Sequence, residues 1–307
     1  MCRALIYLGQ PVLLDNLLFQ PDSALVRQSY MPKMLDMLNL AGFGMRAWDQ
    51  TSYDPDRPYA YASPSLPVFD RNLKHLAEKI CPRAVLAHVR GVPYNTTADI
   101  SAQNVHPFQF PGAGLALAHN GDLSGIEEMK PLLAPHLKPG YAARIRGTTD
   151  SEWIYALLLS QLSDESKAPN RDELLDAIQR TLSLLREVRR HLGIATCASV
   201  NLFIADGRQL AAVRYCFDFG CYPTEELLGL RSSHLNYLSL WYTLGRDYGL
   251  HDGEWKMVGG ASNAQSILVA SEPLTQDLSG WVEVPEYAAL HVEVGDGRPV
   301  ITLRNLD

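Results

Sequence analysis

The second residue of the chain is a cysteine, in Met1-Cys2-Arg3. Methionine is normally removed when the next residue is small, and removal here would leave a thiol and a free α-amine on one residue. Such an amine has a pKa of about 8, so part of it is neutral near pH 7 and can take the thiol proton. Nucleophile and base would then share residue 2; the alternative is a cysteine that only packs. Three further segments hold groups that acyl transfer needs. Ala116-Leu-Ala-His119-Asn120-Gly121 places an Asn side-chain amide and a following backbone N–H at the end of an apolar run. Two such donors suit a carbonyl oxygen that becomes negative, and Gly121 would leave its N–H uncovered and tolerate positive φ. The same dipeptide is also a hairpin-turn signal. Arg90 closes Val85-Leu-Ala-His88-Val89-Arg90. Its guanidinium fork suits a carboxylate, whether a substrate's or an internal one. Asp150, in Thr148-Thr149-Asp150-Ser151-Glu152, offers a carboxylate to a substrate ammonium. Thr149 and Glu152 also have capping-box spacing, and the two roles are compatible.

The surrounding pattern indicates which elements carry these groups. Strands are predicted over Arg3–Leu8, Gly42–Trp48, Ala84–Arg90 and Leu115–His119, the last running into an Asn120-Gly121 turn. Helices are predicted over Asp70–Ile80, over the apolar Asp150–Leu162, and over Glu173–Leu192, where Leu174, Ile178, Leu182, Leu185 and Val188 recur at steps of four and three. A hairpin follows, Ser199–Ala205 and Gln209–Tyr215 around Asp206-Gly207. Further strands are Leu240–Leu244, Ser266–Ala270, Trp281–Val284, Leu290–Val294 and Val300–Leu303. Ser163–Asn170 and Gly220–Asn236 read as surface loops, neither long enough to divide the chain. Blocks of strands separated by helices favour an α+β layered fold in a single domain over residues 1–307.

Composition narrows the function. The net charge of -7 disfavours nucleic acid and anionic membrane surfaces as partners. The Arg186, Arg189, Arg190 cluster is interleaved with acids and reads as a solvated helix face. No apolar run of about 18 residues is present, and the N-terminus lacks a signal-peptide pattern, so a cytoplasmic location is the default expectation. Five cysteines, an odd number with no C-x-x-C pair, support neither a disulfide scaffold nor a metal site. Cys81 and Cys197 read as packing residues.

The segments around Cys2, His88–Arg90, His119–Gly121 and Gly147–Glu152, together with Asn104-x-His106-Pro107-Phe108, come in the order found in class II glutamine amidotransferases, which the sequence resembles. Ser271-Glu272-Pro273 is similar to a later motif of a stand-alone branch. That branch includes the ergothioneine-pathway γ-glutamyl amidohydrolase and the glutathione-degrading amidotransferase. The likeness runs from Met1 to about Trp281. It implies a four-layer αββα sandwich of the N-terminal-nucleophile hydrolases. It implies Cys2 as nucleophile and base, Asn120 and Gly121 as the oxyanion hole, Arg90 on the substrate α-carboxylate and Asp150 on its α-ammonium. The implied reaction is hydrolysis of a γ-glutamyl amide through a Cys2 thioester, with no metal or organic cofactor. Two positions depart from the pattern. Gly91-Val92-Pro93 stands where many relatives have small polar residues that help hold glutamine, and Ala41 stands where they often carry Asp. The chain leaves no room for a synthetase, so ammonia would be released or passed to a separate partner enzyme. Two rival readings remain: another amidase resembling bile-salt hydrolases and penicillin V acylases, which the Asn120 and Asp150 segments fit poorly, and a non-catalytic subunit that keeps the fold.

Overall fold

The computed structural model describes residues 2–34, 38–92, 98–221, 239–295 and 297–306. Met1, Pro93 and nearly all of the loop expected at Gly220–Asn236 lie outside the described residues. In chain order the elements are β1 (Arg3–Leu8), α1 (Asp15–Leu18), β2 (Phe43–Trp48), β3 (Tyr59–Ser63), α2 (Arg71–Ala77), β4 (Ala84–Val89), β5 (Ala116–Gly121), α3 (Ile126–Leu133), α4 (Asp150–Ser160) and α5 (Arg171–His191). They continue with β6 (Ala198–Ala205), β7 (Gln209–Arg214), β8 (Cys216–Phe217), β9 (Trp241–Gly245), β10 (Asp247–His251), β11 (Glu254–Val258), β12 (Ser266–Ala270), β13 (Val282–Glu283), β14 (Ala288–Gly295) and β15 (Arg298–Asn305).

Two antiparallel sheets form the centre. The first has the order β13-β9-β12-β1-β4-β2-β3, and the second β15-β14-β7-β6-β5, with β8 pairing β6. Side-chain alternation assigns each residue to a face. Ala4, Ile6 and Leu8 of β1 and Leu86 of β4 meet Ala116, Ala118, Phe203, Ala205 and Ala212 of the second sheet in an inner core. Leu5, Tyr7, Val85 and Met45 face outward onto Leu17 and Leu18 of α1, Leu73 and Ala77 of α2, and Tyr248 and Met257 of the β10–β11 hairpin. On the other side Leu117, Leu202, Ile204 and Val213 pack against Met129 of α3, Ile154 and Leu158 of α4, and Ile178, Leu182 and Leu185 of α5. The result is the expected αββα sandwich, with a thin helical layer over the first sheet and a thick one over the second.

Most elements lie where the sequence places them, and the differences have local causes. Helix α2 begins at Arg71 because the Asp70 side chain caps it, accepting from the Leu73 N–H. Helix α5 begins at Arg171, capped by Asn170. The Asp-Gly dipeptides at 206–207 and 252–253 do turn: Asp206-Gly207 joins β6 to β7, and Asp252-Gly253, with φ of 54° and 81°, joins β10 to β11. Asn120-Gly121 does not. It continues β5, pairing with Asn201 and Val200 of β6. The sequence reading missed the β10–β11 hairpin, the exposed edge strand β3 and the short α1 and α3. Cys81 is exposed and Cys197 half-buried with its sulfur 3.4 Å from that of Cys216, so neither is the buried packing residue expected.

Candidate active site

Cys2 precedes β1, and the alternation of Ala4, Ile6 and Leu8 carries it to the inner side of the first sheet. It is 6% exposed. Its sulfur lies against Gly91, just past the end of β4: the Gly91 N–H donates to Sγ at 3.5 Å, and the thiol reaches the Gly91 carbonyl at 3.7 Å. Burial pushes the thiol up, and the charge of the amino terminus, the Gly91 N–H and the Arg90 guanidinium act in the opposite sense. Asn120 lies on the inner face of the second sheet, next along β5 from Ala118. Its amide donates to Ser271 Oγ at 2.9 Å, and Ser271 Oγ also accepts the Ala4 N–H at 3.0 Å. One hydroxyl thus links the Asn120 amide to the strand that begins beside Cys2.

Gly121 is needed for space, not for positive φ. A Cβ there would stand 1.9 Å from the Ser199 carbonyl oxygen and 2.4 Å from His119 Nε2. On β5 the Leu117 N–H donates to Phe108 O and the His119 N–H to His106 Nδ1. By the two-residue alternation the Gly121 N–H faces that same edge, away from β6.

Arg90 is 6% exposed and donates through Nη1 to the Asp99 carbonyl at 2.7 Å. Among the described residues no carboxylate lies within salt-bridge distance of it. Cys2, Asp99 and Asp150 are the groups whose charges act on it. Asp150 opens α4. Its Oδ2 accepts the Leu123 N–H at 2.6 Å, and its Oδ1 accepts the Ser151 N–H and hydroxyl at 2.7 and 2.9 Å. Its charge also acts on Cys2. The fold therefore brings Cys2, Arg90 and Asp150 into one electrostatic neighbourhood, with Asn120 tied to β1 through Ser271.

Residues 53–221 match the model of the class II glutamine amidotransferases. A probable glutamine amidotransferase of Saccharomyces cerevisiae, DUG3, is 30% identical over 95% of this chain and 82% of its own. This chain belongs to the class II glutamine amidotransferases. Membership makes it an enzyme of glutamine amide hydrolysis or transfer. In fold it is similar to a glutamine aminotransferase class-II domain protein from Silicibacter pomeroyi, with a TM-score of 0.58 at 18% identity and 99% of each chain covered. It is also similar to the glutamine phosphoribosylpyrophosphate amidotransferase of B. subtilis, with a TM-score of 0.57 at 16% identity, over 100% of this chain and 49% of that one. At these identities the likeness is one of fold.

This amidotransferase supports its site with residues that the sequence reading quoted without roles. Buried Asn104 donates to the Asp99 carbonyl, Asp99 Oδ2 and Thr148 Oγ1, each at 3.1 Å, and accepts the Thr148 N–H at 2.8 Å. It joins the segment that holds Arg90 to the one that leads into Asp150. Gly147 lies against it: a Cβ there would be 2.2 Å from Asn104 Oδ1. Thr149 caps α4 as expected, but Glu152 does not complete the capping box. Its carboxylate accepts the N–H groups of Arg146 and Gly147. Beneath the site His88 contacts the His119 carbonyl through Nε2 at 3.2 Å, and His88 and His106 stack at 4.2 Å. Burial lowers His88 to about 3 and holds His106 well below the usual histidine range, so both are neutral structural groups. Among the described residues no group of three or more His, Cys, Asp or Glu side chains is arranged to hold a metal ion.

Proposed function

We propose that the chain hydrolyses a γ-glutamyl amide through a thioester on Cys2, once Met1 has been removed. The observation that carries this reading is the placement of a buried thiol and the Asn120 amide on facing inner surfaces of two sheets, with Arg90 and Asp150 acting on the same sulfur. A thiol raised by burial is a poor nucleophile alone, and a base on the same residue removes the need for a standing thiolate. The sulfur attacks the γ-carbonyl as the Cys2 amine takes its proton. The carbonyl oxygen becomes negative and is met by an Asn120 N–H and the Gly121 N–H. The amine leaves with the proton held by the Cys2 ammonium. Water, deprotonated by the same amine, then releases glutamate. Arg90 grips the substrate α-carboxylate, and Asp150, with lone pairs beyond those its present donors use, accepts from the α-ammonium.

Gly91, whose backbone meets the Cys2 sulfur, offers no polar side chain to a leaving carboxamide. This supports a substituted amide or γ-glutamyl peptide over free glutamine as the preferred substrate. A γ-electrophilic glutamine analogue tests the core of the proposal. It should label Cys2 with one equivalent, read by intact mass and peptide mapping, and abolish turnover. Labelling at another residue, or turnover by Cys2→Ala, would refute it.

A further inference from the structure

Ser271 and Glu272 follow directly on β12 and take no part in the steps above. Both are buried, at 2% and 1% exposure. The Ser271 N–H donates to the Ala4 carbonyl at 2.9 Å, extending the β1–β12 ladder by one rung. Its hydroxyl then accepts both the Ala4 N–H and an Asn120 amide N–H. Its carbonyl accepts the Ser239 hydroxyl at 2.8 Å, which fixes the turn of the chain there. Glu272 points the other way. It pairs with Arg3 Nε at 3.1 Å, and Arg3 Nη1 donates to the Cys2 carbonyl at 3.0 Å. The same carboxylate accepts the Ser23 hydroxyl at 3.2 Å and the Lys33 and Met34 N–H groups at 3.1 Å.

The problem these contacts address is one of register between layers. Cys2 belongs to the first sheet and Asn120 to the second, and the core between the sheets is apolar. Apolar packing is non-directional, whereas a catalytic donor must be held to a fraction of an ångström. A side-chain amide has two N–H groups. Spending one on Ser271 fixes the amide plane and leaves the other for the oxyanion. Without that bond the amide can turn its oxygen, Oδ1, which has no partner among the described residues, toward the developing negative charge. A peptide carbonyl held by Arg3 likewise fixes the residue that carries both sulfur and amine.

We propose that Ser271 and Glu272 are positioning residues of this amidotransferase: Ser271 aims the Asn120 amide, and Glu272, through Arg3, sets the orientation of Cys2. The proposal rests on the Cys2 and Asn120 roles given above.

The test compares Ser271→Ala, Ser271→Thr and Glu272→Gln with Asn120→Ala as reference. The readouts are kcat, KM, Tm, and the affinities for glutamate and for its γ-aldehyde, whose adduct with a thiol carries an oxyanion. Ser271→Ala should lower kcat by about 10- to 100-fold, weaken the aldehyde by a similar factor, and leave KM and glutamate affinity within about twofold. Ser271→Thr should recover most of the loss, and Ser271→Ala added to Asn120→Ala should cost little more. Glu272→Gln should slow Cys2 labelling by about tenfold at unchanged KM. If Glu272→Gln does not fold, Arg3→Lys, which keeps the charge but cannot reach both Glu272 and the Cys2 carbonyl, should show the same slowing. An unchanged kcat in Ser271→Ala beside a crippled Asn120→Ala overturns the Ser271 role alone. An unchanged kcat in Asn120→Ala overturns the oxyanion assignment beneath it. Equal losses in kcat, KM and Tm without rescue by threonine reduce both residues to structural ones.

Discussion

Arg90 and Asp150 each hold backbone as well as acting through their charge on the Cys2 thiol, and this separates their mutants. Arg90→Ala should weaken binding of a γ-glutamyl substrate by about 2–5 kcal/mol, the usual loss for truncating one side of a desolvated charge pair. A substrate lacking the α-carboxylate should be poor for the parent and indifferent to the change. Equal damage to both substrates would make Arg90 a structural group. Asp150→Ala should cost binding and also lower Tm, because it removes the acceptor of the Leu123 N–H and of the Ser151 N–H and hydroxyl. Asp150→Asn keeps an acceptor oxygen and should restore more stability than affinity. At residue 2 the expected outcomes are absolute. Cys2→Ala should be folded and inactive, and protein that retains Met1 should be inactive too, because the Cys2 nitrogen is then an amide with no basic lone pair. Intact mass combined with an activity assay checks both, and a homogeneous Met1-bearing sample that turns over would exclude the amine as the base.

Strand β5 shows what an element contributes beyond its residues. It forms the edge of the second sheet, so the N–H groups of alternate residues leave the ladder: those of Leu117 and His119 meet Phe108 O and His106 Nδ1, and that of Gly121 points out at the same edge. Gly121→Ala would drive a methyl group into the Ser199 carbonyl, which also receives the Asp122 N–H at 3.0 Å. The expected result is a loss of about 2–3 kcal/mol of stability and a larger fractional loss of kcat than Asn104→Ala causes. Asn104→Ala should act at a distance. It frees the Asp99 segment that holds Arg90, so KM for the γ-glutamyl substrate should rise while Cys2 reactivity toward a simple alkylating agent stays unchanged. Both alkylation rate and KM are directly measurable, and a fall in Cys2 reactivity would show that Asn104 supports the nucleophile instead.

Across the whole molecule, His88 of β4 contacts the His119 carbonyl of β5, and His88 and His106 lie side by side, 4.2 Å apart, at this end of the sandwich. Burial lowers His88 to about 3 and His106 well below the usual range, and the Arg90 and His119 charges act in the same direction. Unfolded histidine takes up a proton near pH 6.5, so as pH falls below that value the unfolded chain gains protons that the folded one refuses. Stability should therefore be complete above about pH 6.5 and fall by about 1.4 kcal/mol per pH unit for each such histidine on acidification, down to about pH 3 for His88. Tm measured from pH 7.5 to 4.5 should show this slope, and His106→Phe should flatten it. A parent Tm that is flat over that range would mean the imidazoles are not held neutral.

The sequence alone indicated a layered α+β fold and which residues could carry chemistry, because both are local, while the αββα order came from the family resemblance. Periods of two and near 3.6 state which face of each segment is apolar, and the types Cys2, Arg90, Asn120 and Asp150 state what each can donate or accept. It also carried the cap at Thr149, which depends on a neighbour three residues away. Only the tertiary structure decided what each group is joined to. Asn120-Gly121 has the local preference of a turn, yet pairing with β6 keeps it extended, since a strand hydrogen-bonded to its neighbour overrides a dipeptide propensity. Glu152 has capping-box spacing, yet it serves the Arg146 and Gly147 N–H groups that the fold brings to it. The link from Asn120 through Ser271 to the Cys2 strand spans 151 residues between its amide and its hydroxyl. No pattern along the chain encodes such a separation, because it arises only when two independently paired sheets are closed face to face.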